Sequence, residues 1–175
     1  GTNLHFQSAG IASIAVDGGI LNSTKERGSL PTIDGSPVDV VGVDATNTTV
    51  FVHIVKIRNS RILLELGFSC QRSQAKAAND ADDVNEAVQR VLEEHYSSLL
   101  ERDEFPSAVV LPKFIQLPDA EVLQSMVGKK SGRNIPIGLA GSLESDHLTA
   151  YATQLAHKES LLDQQKYVVL GVICL

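Results

Sequence analysis

The chain is poor in the features that usually announce a chemistry. It has two cysteines in 175 residues, Cys70 and Cys174. They are far apart and make no CxxC pair for zinc, so both read as free thiols in a reducing compartment. Positive charge is also scarce. Fifteen basic residues against 21 acidic ones leave a formal charge of −6, the wrong sign for gripping nucleic acid by bulk electrostatics. No window approaches the roughly 20 apolar residues of a membrane-spanning helix, and the closing "YVVLGVICL" is far too short. Phosphate cradles of the GxxxxGK[ST] type, GxSxG nucleophile elbows and HExxH pairs are all missing. No membrane contact and no cofactor is expected.

Residues 1–37 carry scattered glycines together with Pro31 and Pro37, a composition that breaks helices and strands, and read as an irregular lead-in. The start, Gly1 in place of Met, fits a fragment or a processed product. "GTNLHFQS" sits close to a protease-cleavage tag and is set aside from the fold. "IASIAV" is one short extended piece, without the basic flank of a signal peptide.

From Val38 the pattern sharpens. "VDVVGV" is a β-branched run of the kind buried on both faces of a sheet. A second strand covers 50–57, and Asn59-Ser60 makes a tight hairpin into "RILLELGFSC". After a polar loop over 71–83, Val84, Val88, Val91, Leu92, Tyr96 and Leu99 recur at helical spacing, predicting a helix from about Asp83 to Leu100 capped by Asp82 or Asp83. "SAVVLP" is a short buried strand. "PDAEVLQSMVG" is a helix capped by Asp119 and stopped at Gly128, followed by a basic turn, "KKSGR". "NIPIGLA" reads as an edge strand because Pro136 cannot donate to a ladder. Leu148, Tyr151, Ala152, Leu155 and Leu162 then share one face of a helix from about Ser145 to Gln164.

Three antiparallel strands followed by alternating helices and strands is an α/β, RNase H-like layout with a mixed sheet. Asp39-Val40-Val41-Gly42-Val43, the hairpin "VFVHIVKIRNSRIL", "VLEEHY", "VVLP" with "DAEVLQSMV", and "LAHKESL" together resemble the UvrC family of the excinuclease ABC system, in the middle region before its C-terminal nuclease domain. The resemblance covers roughly residues 38–162; the domain is expected at 38–164, with 165–175 a divergent tail. It implies nucleotide excision repair, with damaged DNA and a UvrB-like subunit as partners, in the cytoplasm or, in a eukaryote, an organelle. Family members cut DNA on both sides of a lesion, but no GIY…YIG pair is present in this chain.

Asp44 carries the sharpest chemical question. Two-metal phosphodiester cleavage needs several converging carboxylates, because one cannot neutralise and position both ions. Asp39 or Asp44 could supply the first and Glu86, Glu93 or Glu94 the second, with Asp44 and Glu93 the chosen pair. The fourth strand, however, ends on Leu111, Pro112 and Lys113, which puts a cation where the metal needs an anion. The expectation is therefore a catalytically silent domain in which Asp44 closes a strand and bonds the local backbone. His53 and His95 read as satisfied structural histidines, and Cys70 as a small buried apolar side chain. Arg58 and Arg61 at one hairpin tip, with Lys129, Lys130 and Arg133 in one turn, are the candidate DNA contacts, set against the plainer reading of solvated turns.

Overall fold

The computed structural model describes residues 7–12, 35–72 and 81–173, with side chains from 35–72 and 81–166. Its centre is β2 (Val38–Ala45), whose first six residues are buried. It pairs antiparallel with β3 (Thr49–Arg58) along its whole length, Val38 opposite Ile57 and Ala45 opposite Val50. On its other side it pairs parallel with β5 (Ala108–Leu111). β4 (Arg61–Gln71) returns beside β3 through Asn59 and Ser60, whose φ values of 51° and 61° give the two-residue turn that matches strand twist. β6 (Ile137–Leu139) pairs parallel with β5 and forms one edge, as Pro136 requires.

The other edge departs from the sequence reading. A strand β1 (Gln7–Ala12) pairs antiparallel with β4, so part of the lead-in is not irregular, and this strand begins inside the tag-like stretch "GTNLHFQS". The rest of "IASIAV" lies outside the described residues. The sheet order is β1-β4-β3-β2-β5-β6.

Strand alternation divides the core in two. Val41, Val43, Val50, Val52 and Ile54 face α1 (Ala81–Ser98) and α2 (Ala120–Ser131), packing on Val88, Leu92, Tyr96, Leu123 and Val127. Val38, Val40, Val55, Ile57 and Ile62 face α3 (Leu143–Ile173), packing on Leu148, Tyr151, Ala152 and Leu155. The predicted apolar stripe of α1 is buried as expected, while its boundary shifts. Asp82 and Asp83 lie in the first turn and do not cap it, and Asp83 pairs with Arg72 at 2.7 Å.

α2 runs through Gly128 to Ser131 and ends at Gly132, whose φ of 75° is the left-handed cap. Lys129 and Lys130 therefore belong to the last helical turn, where they complement the partial negative charge of the carbonyl end. Asp119 occupies the N-cap position, but its side chain makes no capping bond. α3 outruns its expected end at Gln164, and Leu162 is 58% exposed, so it is not on the buried face. No helix among the described residues is long and apolar enough to cross a membrane.

Candidate functional site

The two aspartates of β2 point to opposite faces of the sheet. Asp39 shares the α1 side with Val41 and Val43, and Asp44 shares the α3 side with Val40 and Gly42.

Asp39 is fully buried. Its Oδ1 accepts from Arg58 Nη1 at 2.9 Å and its Oδ2 from the Tyr96 hydroxyl at 2.8 Å. Burial pushes the carboxyl up, and Arg58, Lys56 and Tyr96 pull it back. The same burial pushes Lys56 down, and burial with the Asp39 charge drives Tyr96 well up. Arg58 is largely engaged by this structure. It also donates to the carbonyls of Val38 (3.2 Å), Ile57 (2.9 Å) and Glu104 (3.2 Å).

Asp44 does not bond the local backbone, contrary to expectation. Its Oδ2 accepts from Ser160 Oγ at 2.6 Å and lies 2.9 Å from His157 Nδ1, both on α3. Glu93 sits across the sheet on α1, where Gln89 Nε2 donates to it at 2.8 Å, and Gln89 also donates to the Asp119 carbonyl. Asp44 and Glu93 are thus kept apart by the sheet. Lys113 at the end of β5 pairs with Asp146 of α3 at 2.8 Å. Among the described residues no three Asp, Glu, His or Cys side chains gather as metal ligands.

The candidate DNA contacts converge on one end of the domain, but most are occupied there. A short 3₁₀ turn (Arg102–Glu104) lies between Arg58 and Arg133. Arg133 donates to the carbonyls of Phe105 (2.7 Å) and Pro106 (3.1 Å), and Lys130 donates to that of Ser97. Arg58, Arg133 and Lys130 are therefore partly spent on holding the 97–106 segment. Arg61 and Lys129 are exposed, and they are joined by exposed Arg102, which packs over Gly132. Sequence reasoning passes over Arg102 because it sits among three acids in "ERDE", which reads as an acidic surface run.

The histidines need a correction. Both are buried, but neither ring nitrogen of His53 has a hydrogen-bond partner, and His95 Nε2 has none either. His53 lies 3.6 Å from Glu159, beyond bonding distance. Burial lowers the His53 pKa against the pull of Glu65, and burial, helped by Lys56, pushes His95 down to about 3. His95 packs edge-on against Phe68 and Tyr96, so its ring is held as a neutral aromatic. A depressed His stabilises the fold above the unfolded pKa near 6.5 and loses that stabilisation as pH falls towards 3. Between pH 7 and 5 the His95 contribution is about 2 kcal/mol. Urea melts at the two pH values should show His95→Gln losing about that much less than the parent; equal losses would mean the ring stays solvated. Cys70 is buried, and burial raises its thiol, in line with an inert side chain; Cys174 lies outside the described residues.

A mixed sheet ordered β4-β3-β2-β5-β6, with helices on both faces, makes this an α/β domain of RNase H-like layout. The family model described as "UvrC Ribonuclease H-like domain" matches residues 37–160, and the chain belongs to that family. It is 30% identical over 135 residues to UvrABC system protein C of Microcystis aeruginosa, covering 77% of this chain and 20% of that one. To the protein of the same name from Synechocystis sp. it is 30% identical over 138 residues, covering 78% and 20%. To that of Gloeobacter violaceus it is 31% identical over 99 residues, covering 57% and 14%. The chain thus spans about a fifth or less of the length of these relatives.

Proposed function

We propose that this chain is a non-catalytic RNase H-like domain of a UvrC-type nucleotide excision repair protein, and that it spaces the cutting centres and contacts DNA or a UvrB-like subunit. One observation carries the silence: the two carboxylates of β2 face opposite sides of the sheet, each bonded to partners of its own. Two-ion cleavage needs carboxylates on one side of a shared cavity, and Glu93 stands across the sheet from Asp44. The relatives' name supports the repair process, and the exposed cations Arg61, Arg102 and Lys129 support a DNA contact confined to one end of an acidic chain.

The test is incubation of the purified chain with supercoiled plasmid and Mg²⁺ or Mn²⁺. No nicking is expected. Nicking that disappears in Asp44→Asn or Glu93→Gln would establish a nuclease instead. In the same preparation, DNA retention should weaken with added salt and with Arg61→Ala plus Lys129→Ala, because every cation taken off a phosphate reduces the counterion release that drives binding. Retention that ignores both changes would assign this end to the UvrB-like subunit.

A further inference from the structure

The docking of α3 is unusual in what makes it and where it stops. On this helix Thr149, Ala152, Ala156 and Ser160 are buried, spaced three or four apart, and all are small. Small side chains let the helix backbone lie directly on the sheet. Opposite them Gly42 has no room for a side chain, since a Cβ there would fall 1.9 Å from the Ala152 carbonyl carbon. The first half of the contact is apolar, through Leu148, Tyr151 and Leu155.

Beyond Ala156 it becomes polar. Ser160 and His157 both reach Asp44 across more than a hundred residues of sequence. Glu159 stands beside His53 over Gly67, where the missing side chain makes room for the imidazole, while in the first half Tyr151 adds a single polar contact through its hydroxyl, which donates to Glu65 at 2.6 Å. Past Ser160 the support thins among the residues whose side chains are described, 161–166. Leu161, Leu162, Gln164, Gln165 and Lys166 are exposed, yet the helix continues to Ile173. At 1.5 Å per residue the part beyond Ser160 reaches roughly 20 Å. A helix this short is marginal alone because nucleation is costly, but here the docked turns supply the nucleus and each further residue only propagates it.

We propose that α3 is a rigid arm, clamped at its last point of support by Asp44, which holds its far end at a fixed distance and direction from the sheet. This deepens the spacing role proposed above and rests on it, giving that role a physical device. Asp44 becomes a positioning residue: the position on β2 that could have served a metal ion instead receives two donors from the helix. Gly42 sets the height of the helix and Asp44, through Ser160, its direction.

Distance measurements between spin labels test the arm in the full chain. Labels enter at Leu63→Cys, on the exposed side of β4, and at Lys166→Cys, with Cys174→Ser; buried Cys70 stays unlabelled. A second pair, Leu63→Cys with His147→Cys, reports the start of α3. A single narrow distance is expected for both pairs. Adding Asp44→Ala with Ser160→Ala should broaden the Lys166 distribution roughly twofold while the His147 pair stays narrow, since only the polar half of the contact is released. Should the double variant disturb both pairs, Ser160→Ala alone is read in its place. A broad Lys166 distribution in the parent, or one that the clamp variants leave unchanged, would overturn the proposal. Nicking of plasmid would refute the silent reading and leave the arm standing, so the two failures are told apart.

Discussion

Gly42→Ala should cost at least about 3 kcal/mol, the upper range for overpacking a core, because the added Cβ meets backbone and no side chain can move aside. It would stand 1.9 Å from the carbonyl carbon of Ala152 and 2.2 Å from both its oxygen and the nitrogen of Thr153. The helix must lift off the sheet or the centre of β2 must bend. Either movement opens the apolar contact that α3 makes with Val38, Val40 and Val55. Against a total stability of about 5–15 kcal/mol this is a large fraction.

Two other glycines grade the effect. At Gly67 the nearest atom is the imidazole Nε2 of His53 at 2.9 Å, a side-chain end that can turn, so Gly67→Ala should cost less. At Gly138 nothing lies within 4 Å, and Gly138→Ala should stay within about 0.5 kcal/mol of the parent. Urea midpoints at constant m-value measure all three. A Gly42→Ala midpoint equal to that of Gly138→Ala would mean that α3 does not rest on β2.

What is legible in the sequence is what short-range chemistry determines. β2 and β3 are runs of β-branched residues, and the turn at Asn59 and Ser60 is a local backbone choice, so the hairpin can be read directly and the structure agrees. The 3.6 period of α1 fixes its buried face through Val88, Leu92 and Tyr96. Helix ends are less legible. Gly128 has an ordinary breaker's identity, but the left-handed conformation that stops α2 is adopted four residues later by Gly132.

Partners distant in sequence are not legible at all. Asp44 finds Ser160 116 positions away, and nothing local distinguishes that serine from a solvated one except its place in the small-residue row with Ala152 and Ala156. Asp39 is the intermediate case. Its register opposite Lys56 places a cation beside it, but the decisive contact comes from Arg58, which reads as a surface charge in the sequence. An arginine at a hairpin tip and an arginine closing a buried network look the same until the strand pairing is known.

Removing that arginine gives the second large effect. Arg58→Met leaves the fully buried Asp39 carboxylate without its hydrogen-bonded counter-ion, with Lys56 beside it but not bonded to it, and breaking a buried pair from one side costs about 3–5 kcal/mol. Tyr96 alone cannot restore the missing solvation, since it supplies one hydrogen bond to a group that had two partners. The loss should depend on pH in a definite sense. Burial already raises the Asp39 pKa above 3.8, and Arg58 is the largest influence holding it down. Without Arg58 the folded state binds a proton more tightly still, while the unfolded state titrates near 3.8. A raised pKa contributes stability that is present below the unfolded value and lost as pH rises through the folded one. The difference between variant and parent should therefore shrink on acidification from pH 7 towards pH 4. Taking the difference at each pH largely removes the acid loss from His95, which the two proteins share. Adding Asp39→Leu to Arg58→Met removes the stranded charge, and the double variant should be more stable at pH 7 than Arg58→Met alone and nearly flat in its pH-dependent difference from the parent. A constant difference across the range, or a double variant no better than the single one, would mean that Asp39 reaches solvent when Arg58 is gone.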